Sequence, residues 1–188
     1  MILTISGTPG SGKSTIGKML AKKLGLKRYY MGQIFRDTAK KKDMDLATFL
    51  EHLKQNPKEE KEIDNFIIEI AKKEDDFIIE GRTAFCLLPQ SIKIFIDVEP
   101  EVGANRIFKA TQSQNDRNEQ SYKSKDDVIV ANDKRMKSDF KRYKALYGVD
   151  VYDRSLYDVL IDTSDVTPEE ATDSILGMIK SLNTPQDT

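Results

Sequence analysis

Short apolar runs alternate along this chain with longer stretches in which apolar residues recur at helical spacing. Near-continuous apolar runs, which are typical of strands buried on both faces, lie at 77–80 and 92–98. Further strands are predicted at 1–6 and 157–162, and a shorter one at 27–30. Helical stretches separate these runs. The pattern therefore predicts an α/β fold with a five-stranded parallel sheet and helices on both faces.

Helices are predicted at 13–24, 32–41, 100–109 and 126–147, and a last helix is predicted to begin after Thr167. A further helix is expected over the apolar positions that precede the strand at 77–80. The residues predicted to form buried helix faces are Ile63, Phe66, Ile67, Ile70 and Ala71; Met136, Phe140, Tyr143 and Tyr147; and Ala171, Ile175, Ile179 and Leu182.

Two excursions interrupt the alternation of strands and helices. One lies at about 32–74, and its part from 43 to 60 is polar and is broken at Asn56-Pro57. The other, at about 111–125, carries almost no apolar residues and is expected to be mobile. Ligands bind beyond the carboxyl ends of parallel strands, and both excursions can reach that edge. We expect one domain over 1–188 with two flaps above a ligand cleft.

The segment between the first strand and the first helix has the pattern G-x-x-x-x-G-K-S of a Walker A phosphate loop. Its glycines let successive backbone N–H groups point at phosphate oxygens, and the helix that follows favours anions at its N-terminus. Lys13 is expected to reach the β- and γ-phosphates, and the Ser14 hydroxyl to contact Mg²⁺. The loop consists of Gly7, Thr8, Pro9, Gly10, Ser11, Gly12, Lys13, Ser14 and Thr15.

Charge and composition narrow the range of partners. The 188 residues carry a net charge of −1, so no overall field draws the chain to nucleic acid or to a membrane. Cys86 is the single cysteine, which excludes an intramolecular disulfide, and we expect a buried, inert thiol. No stretch has the length of a membrane span, and the N-terminus leads directly into a strand. We therefore expect a cytoplasmic protein, a monomer that binds small-molecule nucleotides.

Since no overall field holds a polyanionic ligand, individual arginines must do so. Arg82 follows Glu80-Gly81 at the end of the third strand, on the ligand edge of the sheet. Glu80 stands where a Walker-B-like acid orients a magnesium-bound water, or alternatively pairs with a neighbouring base. Arg36 on the second helix and Arg106 are further candidates. The sequence around each of them also fits an arginine on the protein surface.

Arg135, Asp139 and Arg142 share one face of the long helix, at positions i, i+4 and i+7. This row lies about 100° from the apolar stripe of the same helix, and therefore beside the buried face. Spacing alone leaves two interpretations open. The row either faces the ligand cleft or forms an ordinary ion pair on a solvated surface.

The ordered set of motifs resembles the short, archaeal-type cytidylate kinases of the nucleoside monophosphate kinase family of P-loop kinases. The resemblance covers nearly the whole chain. It rests on the phosphate loop and on the segments 31–36, 79–82, 93–97, 141–144, 147–150 and 157–164. It implies transfer of a phosphoryl group from ATP to CMP or dCMP, giving ADP and CDP or dCDP, with Mg²⁺.

The resemblance also implies roles for individual residues. Arg36 would hold the acceptor phosphate, and Arg82 would face the acceptor nucleotide and help to read its base. Asp139 and Arg142 would serve the acceptor's ribose and base. Arg135 and Arg142, with Lys13, would neutralise charge during transfer, and Ser14 and Glu80 would hold the metal. The segment 111–125 would form the lid, with Arg117 as its one arginine, and Thr163 and Ser164 would pack against adenine.

Three other functions remain open from the sequence. Another small-acceptor kinase, of the adenylate or shikimate type, would have the same sheet core. A nucleotide-dependent switch or ATPase is disfavoured because the chain lacks an N-K-x-D motif, and Asp97-Val98-Glu99-Pro100 fails the D-x-x-G pattern. A protein that binds ATP without phosphorylating an acceptor is the third.

Overall fold

A parallel five-stranded sheet lies at the centre of the protein. The computed structural model describes residues 1–112 and 122–183. The strands are β1 (Ile2–Gly7), β2 (Lys27–Tyr30), β3 (Phe77–Glu80), β4 (Ile92–Asp97) and β5 (Val159–Asp162). Their order in the sheet is β2-β3-β1-β4-β5, and every neighbouring pair is parallel. The predicted α/β class and strand number are confirmed, although β5 begins at Val159 and not at Tyr157.

Helices connect the strands. They are α1 (Lys13–Leu24), α2 (Met31–Lys41), α3 (Leu46–Gln55), α4 (Pro57–Ala71), α5 (Ala84–Leu87), α6 (Pro100–Gln112), α7 (Lys125–Tyr147) and α8 (Pro168–Asn183), with a 3₁₀ turn at Arg154–Leu156. Among the described residues, no helix has the length and apolar character to cross a membrane.

Several helix ends follow from local sequence. Gly25 and Gly148 end α1 and α7 in the left-handed conformation, with φ of 67° and 73°. At the start of α8 the Glu170 amide donates to the Thr167 hydroxyl, and the Thr167 amide donates to the Glu170 carboxylate, as in a capping box. The segment that precedes α7, predicted as a lid at 111–125, lies mostly outside the described residues, and so does Arg117.

The core lies on both faces of the sheet. On one face α1 and α8 contribute Ile16, Leu20, Ile175 and other apolar side chains that pack on β1 and β4. On the opposite face Phe85, Phe95, Tyr143, Val151 and Tyr157 form one cluster that joins α5, β4 and the end of α7. The carboxyl ends of the strands, between these layers, remain accessible for a ligand.

A helical arm, residues 31–71, consists of α2, α3 and α4 and leaves the sheet between β2 and β3. The polar stretch 43–60 is mostly helix: Asp45 caps α3 by accepting from the Thr48 amide at 2.7 Å. Pro57 begins α4, because a helix tolerates proline in its first turn. Phe49 and Leu53 of α3 are fully buried and give the arm a small core of its own.

Three residues predicted to be buried are exposed: Phe66, Phe140 and Leu182, at 43%, 44% and 52%. The case of Phe140 has a clear physical reason, because the inward face of α7 is formed by Asp139 and Tyr143. Cys86 is half-buried, and burial raises the pKa of its thiol to about 11, in keeping with an inert role. The short helix α5 around it was not predicted.

Candidate active site

The phosphate loop curls between β1 and α1 in a conformation that requires glycine. Gly10 and Gly12 have φ of +78° and +81°. A Cβ on Gly7 would lie 1.9 Å from the Ile96 carbonyl oxygen, and one on Gly10 would lie 2.3 Å from the Gly103 carbonyl oxygen. The loop is therefore packed directly against β4 and α6, and side chains at these glycines would displace it.

Lys13 lies over the loop. Its ammonium donates to the Thr8 carbonyl and, at 3.3 Å, to the Ser11 hydroxyl. Burial, followed by the positive charges of Arg82 and Arg135, lowers the pKa of Lys13 to about 7. A polyanion at this position would favour the charged ammonium.

Glu80 at the end of β3 lies beneath the first turn of α1. One carboxylate oxygen forms an ion pair with Arg28, and the other accepts from the Ser14 hydroxyl at 3.3 Å. A Cβ on Gly17 would meet the Glu80 side chain at 2.0 Å, so the glycine makes room for it. Burial raises the pKa of Glu80, against the opposing effect of Arg28. The sequence left two roles open for Glu80, orientation of a magnesium-bound water and pairing with a neighbouring base. In the structure Glu80 pairs with a base, Arg28, and its second oxygen faces Ser14.

A second carboxylate supports the loop from the other side. Asp97, the last residue of β4, accepts from the Thr8 hydroxyl at 3.0 Å and pairs with Arg154. Thr163, after β5, lies with its hydroxyl 3.1 Å from the Ser11 carbonyl oxygen. Arg106 donates to the Thr163 carbonyl at 2.6 Å. Arg106 is thus occupied in holding the loop after β5.

Arg82 and Asp139 join the end of β3 to α7. The Arg82 Nε and the Asp139 Oδ2 are 2.9 Å apart, and the Tyr152 hydroxyl donates to the same carboxylate at 2.9 Å. Tyr152 also accepts from Arg82 at 3.2 Å. Asp139 is 4% exposed. Burial acts to lower the pKa of Arg82, but the Asp139 carboxylate and the neighbouring Tyr152 hydroxyl outweigh it and raise this pKa above its ordinary value.

Arg142 lies one turn further along α7 and has three partners. Its guanidinium approaches Asp139 at 3.4 Å and Glu60 of α4 at 3.5 Å, and it donates to the Tyr143 hydroxyl. The Arg142 and Glu60 side chains are 8% and 2% exposed. Of the two interpretations left open for the row on α7, a solvated ion pair is excluded for Asp139 and Arg142.

Arg36 and Arg135 approach the same space from two directions. Arg36 on α2 donates to the Tyr30 hydroxyl at 3.2 Å, and its guanidinium lies 5.6 Å from the Tyr30 ring centroid. Arg135 on α7 is exposed, and its positive charge contributes to the lowered pKa of Lys13. The arginines of α2, of the segment directly after β3 and of α7 therefore converge in front of the phosphate loop.

These side chains line one cleft of about 260 Å³ at the carboxyl edge of the sheet. Predicted site residues on its wall are Pro9, Gly10, Gly12, Lys13, Ser14, Thr15, Arg36, Glu80, Arg82, Arg135, Asp139 and Arg142. Gly7, Thr8 and Ser11 do not line it, because they are occupied in the contacts that shape the loop from below. Glu80 and Arg82 were placed by the strand-end rule, and Asp139 and Arg142 by helical spacing.

Sequence reasoning missed Tyr152, Asp97 and Glu60. Asp97 ends a buried strand at the ligand edge, and the rule applied to Glu80 would have found it. Tyr152 and Glu60 lie in an irregular segment and on a mostly polar helix, where no local pattern marks them. Their placement comes from tertiary contacts with Asp139 and Arg142.

The chain is similar to proteins of known family. The model of the "Cytidylate kinase-like family" matches residues 2–165. A protein of Methanocaldococcus jannaschii named cytidylate kinase is 37% identical over 187 residues, covering 97% of this chain and 99% of the relative. One of Archaeoglobus fulgidus with the same name is 32% identical over 183 residues, covering 96% of this chain and 95% of the relative.

Solved structures share the fold at lower identity. An uncharacterized protein from Eubacterium ventriosum aligns with a TM-score of 0.69 and 23% identity, covering 96% of this chain and 99% of the other. Shikimate kinase from Acinetobacter baumannii, solved with shikimate, aligns with a TM-score of 0.61 and 15% identity, covering 98% of this chain and 95% of the other. Together, the loop, the converging arginines and the match over residues 2–165 show that this chain belongs to the cytidylate kinase-like family.

Proposed function

We propose that this protein transfers the γ-phosphoryl group of ATP to CMP or dCMP and releases ADP and CDP or dCDP. Family membership supports the reaction. The observation that carries it is the cleft itself, in which a phosphate loop faces arginines from three separate elements. The two substrates of such a reaction are both anions and have to lie side by side. Lys13 supplies positive charge on one side of the cleft, and the arginines supply it on the other.

The donor triphosphate is proposed to lie along the loop, with its β- and γ-phosphates against the N-terminus of α1 and Lys13. The ammonium of Lys13 already points over the loop, where it bonds the Thr8 carbonyl. Thr163 and Ser164 follow β5 beside the loop, and we propose that the adenine packs there, as the resemblance implies.

The residues around Ser14 fit Mg²⁺ delivered with ATP. Among the described residues, no three His, Cys, Asp or Glu side chains form a group that could hold a metal. Magnesium bound with a nucleotide takes most of its ligands from phosphates and water and few from the protein. The Ser14 hydroxyl and the Glu80 oxygen that faces it, 3.3 Å apart, are the protein groups proposed to hold it. When bound, the ion would neutralise phosphate charge.

The acceptor phosphate is proposed to lie among Arg36, Arg82, Arg135 and Arg142. Asp139 holds Arg82 and Arg142 in place. We propose that it also serves the acceptor's ribose, as the resemblance implies. Guanidinium groups suit this task because a planar fork binds two phosphate oxygens and stays ionised.

The chemistry is an in-line displacement. An oxygen of the acceptor phosphate forms a bond to the γ-phosphorus, the bond from that phosphorus to the β–γ bridging oxygen breaks, and the bridging oxygen leaves on ADP. No strong general base is needed, because the attacking phosphate is already an anion. Lys13, Arg135 and Arg142 are proposed to neutralise the charge on the transferred group and the leaving oxygen.

A coupled assay of ADP release tests the proposal with CMP, dCMP, UMP, AMP and shikimate as acceptors. CMP and dCMP should give the highest kcat/KM, and ADP release without an acceptor should be negligible. Replacing Lys13 with Ala should lower kcat about 10³-fold or more, by analogy with a catalytic arginine. Preference for AMP or shikimate, steady turnover without acceptor, or near-normal turnover by the Lys13→Ala protein would contradict the proposal.

We also propose that the protein acts as a monomer in the cytoplasm. Sedimentation velocity across a range of concentrations tests the first statement, and fractionation of the source cells tests the second.

A further inference from the structure

A second space opens beside the cleft, between the helical arm and α7. This groove encloses about 600 Å³, a size typical of small-molecule sites. Leu53 and Pro57 of the arm and Ala145 and Leu146 of α7 give it apolar surface on both sides. Charged side chains line it as well, namely Lys54, Asp133, Lys134, Lys137 and Lys141. Glu60 and Arg142 also line it, and Arg142 lines the cleft as well. Arg142 is therefore common to the walls of both spaces.

The polar groups of this groove are incompletely paired within the described residues. Glu60 is 2% exposed, and its Oε2 has no hydrogen-bond partner there. The Nε of Arg142 also has none, although it lies 3.5 Å from the other Glu60 oxygen. Buried polar atoms without partners are costly, and each calls for an explanation. A buried hydrogen-bond acceptor and a buried donor, neither of them paired, therefore belong to two residues that line the groove.

Only one of the common pyrimidine bases complements this arrangement. Cytosine has an amino group at C4, which donates, next to a ring nitrogen that accepts; a carboxylate oxygen is a favoured acceptor for that amino group. Uracil has the reverse order, a carbonyl oxygen at C4 and an N–H at N3. Uracil would place oxygen against the Glu60 carboxylate and a donor against the Arg142 donor.

We propose that Glu60, held in place by Arg142, recognises the 4-amino group of the acceptor's cytosine ring and sets the preference for CMP over UMP. The inference rests on the proposed function, which puts the acceptor phosphate in the cleft. The base is at the opposite end of the nucleotide and reaches the groove across Arg142. The Arg142 Nε donates to the ring nitrogen, and the apolar walls contact the faces of the ring.

The test compares kcat/KM for CMP, UMP and a CMP analogue whose 4-amino group is replaced by hydrogen. Three proteins are assayed: the wild type, Glu60→Gln and Asp64→Asn. Asp64 is a matched control, since it is a buried carboxylate one turn further along α4 and bonds Tyr147 instead of lining the groove. The ratio of kcat/KM for CMP to that for UMP should fall about 10-fold or more in Glu60→Gln, because a charged hydrogen bond is lost. It should not change in Asp64→Asn.

The analogue separates recognition from folding. In the wild type, loss of the amino group should lower kcat/KM about 10-fold or more, whereas in Glu60→Gln the same loss should cost less than about 3-fold. A residue that only supports the fold would lower activity on all acceptors alike. An unchanged ratio in an active Glu60→Gln protein overturns the inference, and so does a wild type that uses CMP and the analogue equally well, which needs no variant. A wild type inactive on every nucleotide overturns the proposed function, and this inference with it.

Discussion

Asp139 is the buried carboxylate partner of two partly buried arginines, Arg82 and Arg142, so removal of its charge should destabilise the protein. Its carboxylate is 4% exposed and lies 2.9 Å from Arg82 and 3.4 Å from Arg142. At an effective dielectric constant of about 20, these separations correspond to attractions of roughly 6 and 5 kcal/mol. Desolvation of all three groups offsets most of this. Removal of one partner from a buried pair typically costs about 3–5 kcal/mol.

The variant Asp139→Asn removes the charge but keeps an oxygen that can accept from Tyr152. We expect its free energy of unfolding, measured by urea denaturation, to fall by about 3–5 kcal/mol. Asp133→Asn is the matched control on the same helix: its carboxylate is exposed and pairs with Lys137 at 2.7 Å. Such a surface pair should contribute no more than about 0.5 kcal/mol.

Inorganic phosphate provides a second measurement. Because the Asn variant leaves two guanidinium groups without their carboxylate, phosphate should raise its stability more than that of the wild type. A loss below about 1 kcal/mol, together with an equal response of both proteins to phosphate, would refute the reasoning that Asp139 holds Arg82 and Arg142 by charge.

Three further predictions concern other parts of the protein. Burial and the charges of Arg82 and Arg135 lower the pKa of Lys13 to about 7, so the protein should take up a proton when it binds MgATP at pH 8. Calorimetry in buffers of different ionisation enthalpy should detect this uptake in the wild type and not in Lys13→Met. Burial and the nearby Glu60 raise the pKa of Asp64 to about 7, above its ordinary value of 3.8, so the folded state holds the proton that the unfolded chain has lost. As the pH rises from about 4 to 7, the wild type should therefore lose stability relative to Asp64→Asn in thermal melts, and the gap should stay constant above about pH 8. A Cβ on Gly103 would lie 2.8 Å from the Pro9 carbonyl oxygen, so Gly103→Ala should raise the KM for ATP severalfold and leave the KM for CMP unchanged.

The sheet could be predicted because each strand carries its own signal. Strands buried on both faces read as continuous apolar runs, and the glycines of the phosphate loop are required by a backbone that turns through positive φ and passes close to Ile96 and Gly103. Glu80 and Arg82 follow from the rule that ligands bind at strand ends. These features depend on residues adjacent in sequence, so they can be predicted from the sequence alone.

Helix α7 shows where sequence reasoning failed. The apolar positions Met136 and Phe140 predicted an ordinary buried stripe, yet Phe140 is 44% exposed and Asp139 is buried. A charged residue can occupy the inward face only if partners arrive from elsewhere, here Arg82 from β3 and Tyr152 from the segment after α7. Periodicity within one helix carries no information about distant partners, so the burial of Asp139 and Glu60 could not be predicted from it.

The same contacts would prepare the cleft for the two polyanions of the proposed reaction before either of them binds. Arg82 and Arg142 are held by Asp139, and Arg142 is also held by Glu60, so these guanidinium groups do not need to reorganise when a phosphate binds. Preorganisation of this kind has a cost at Lys13, because burial and the nearby positive charges lower the pKa of its ammonium. A bound triphosphate would raise that pKa again. Nucleotide binding should therefore stabilise this protein through the electrostatics of the cleft as well as through new contacts. The carboxylates are as much a part of the proposed phosphate site as the arginines, because Asp139 and Glu60 hold Arg82 and Arg142 in place.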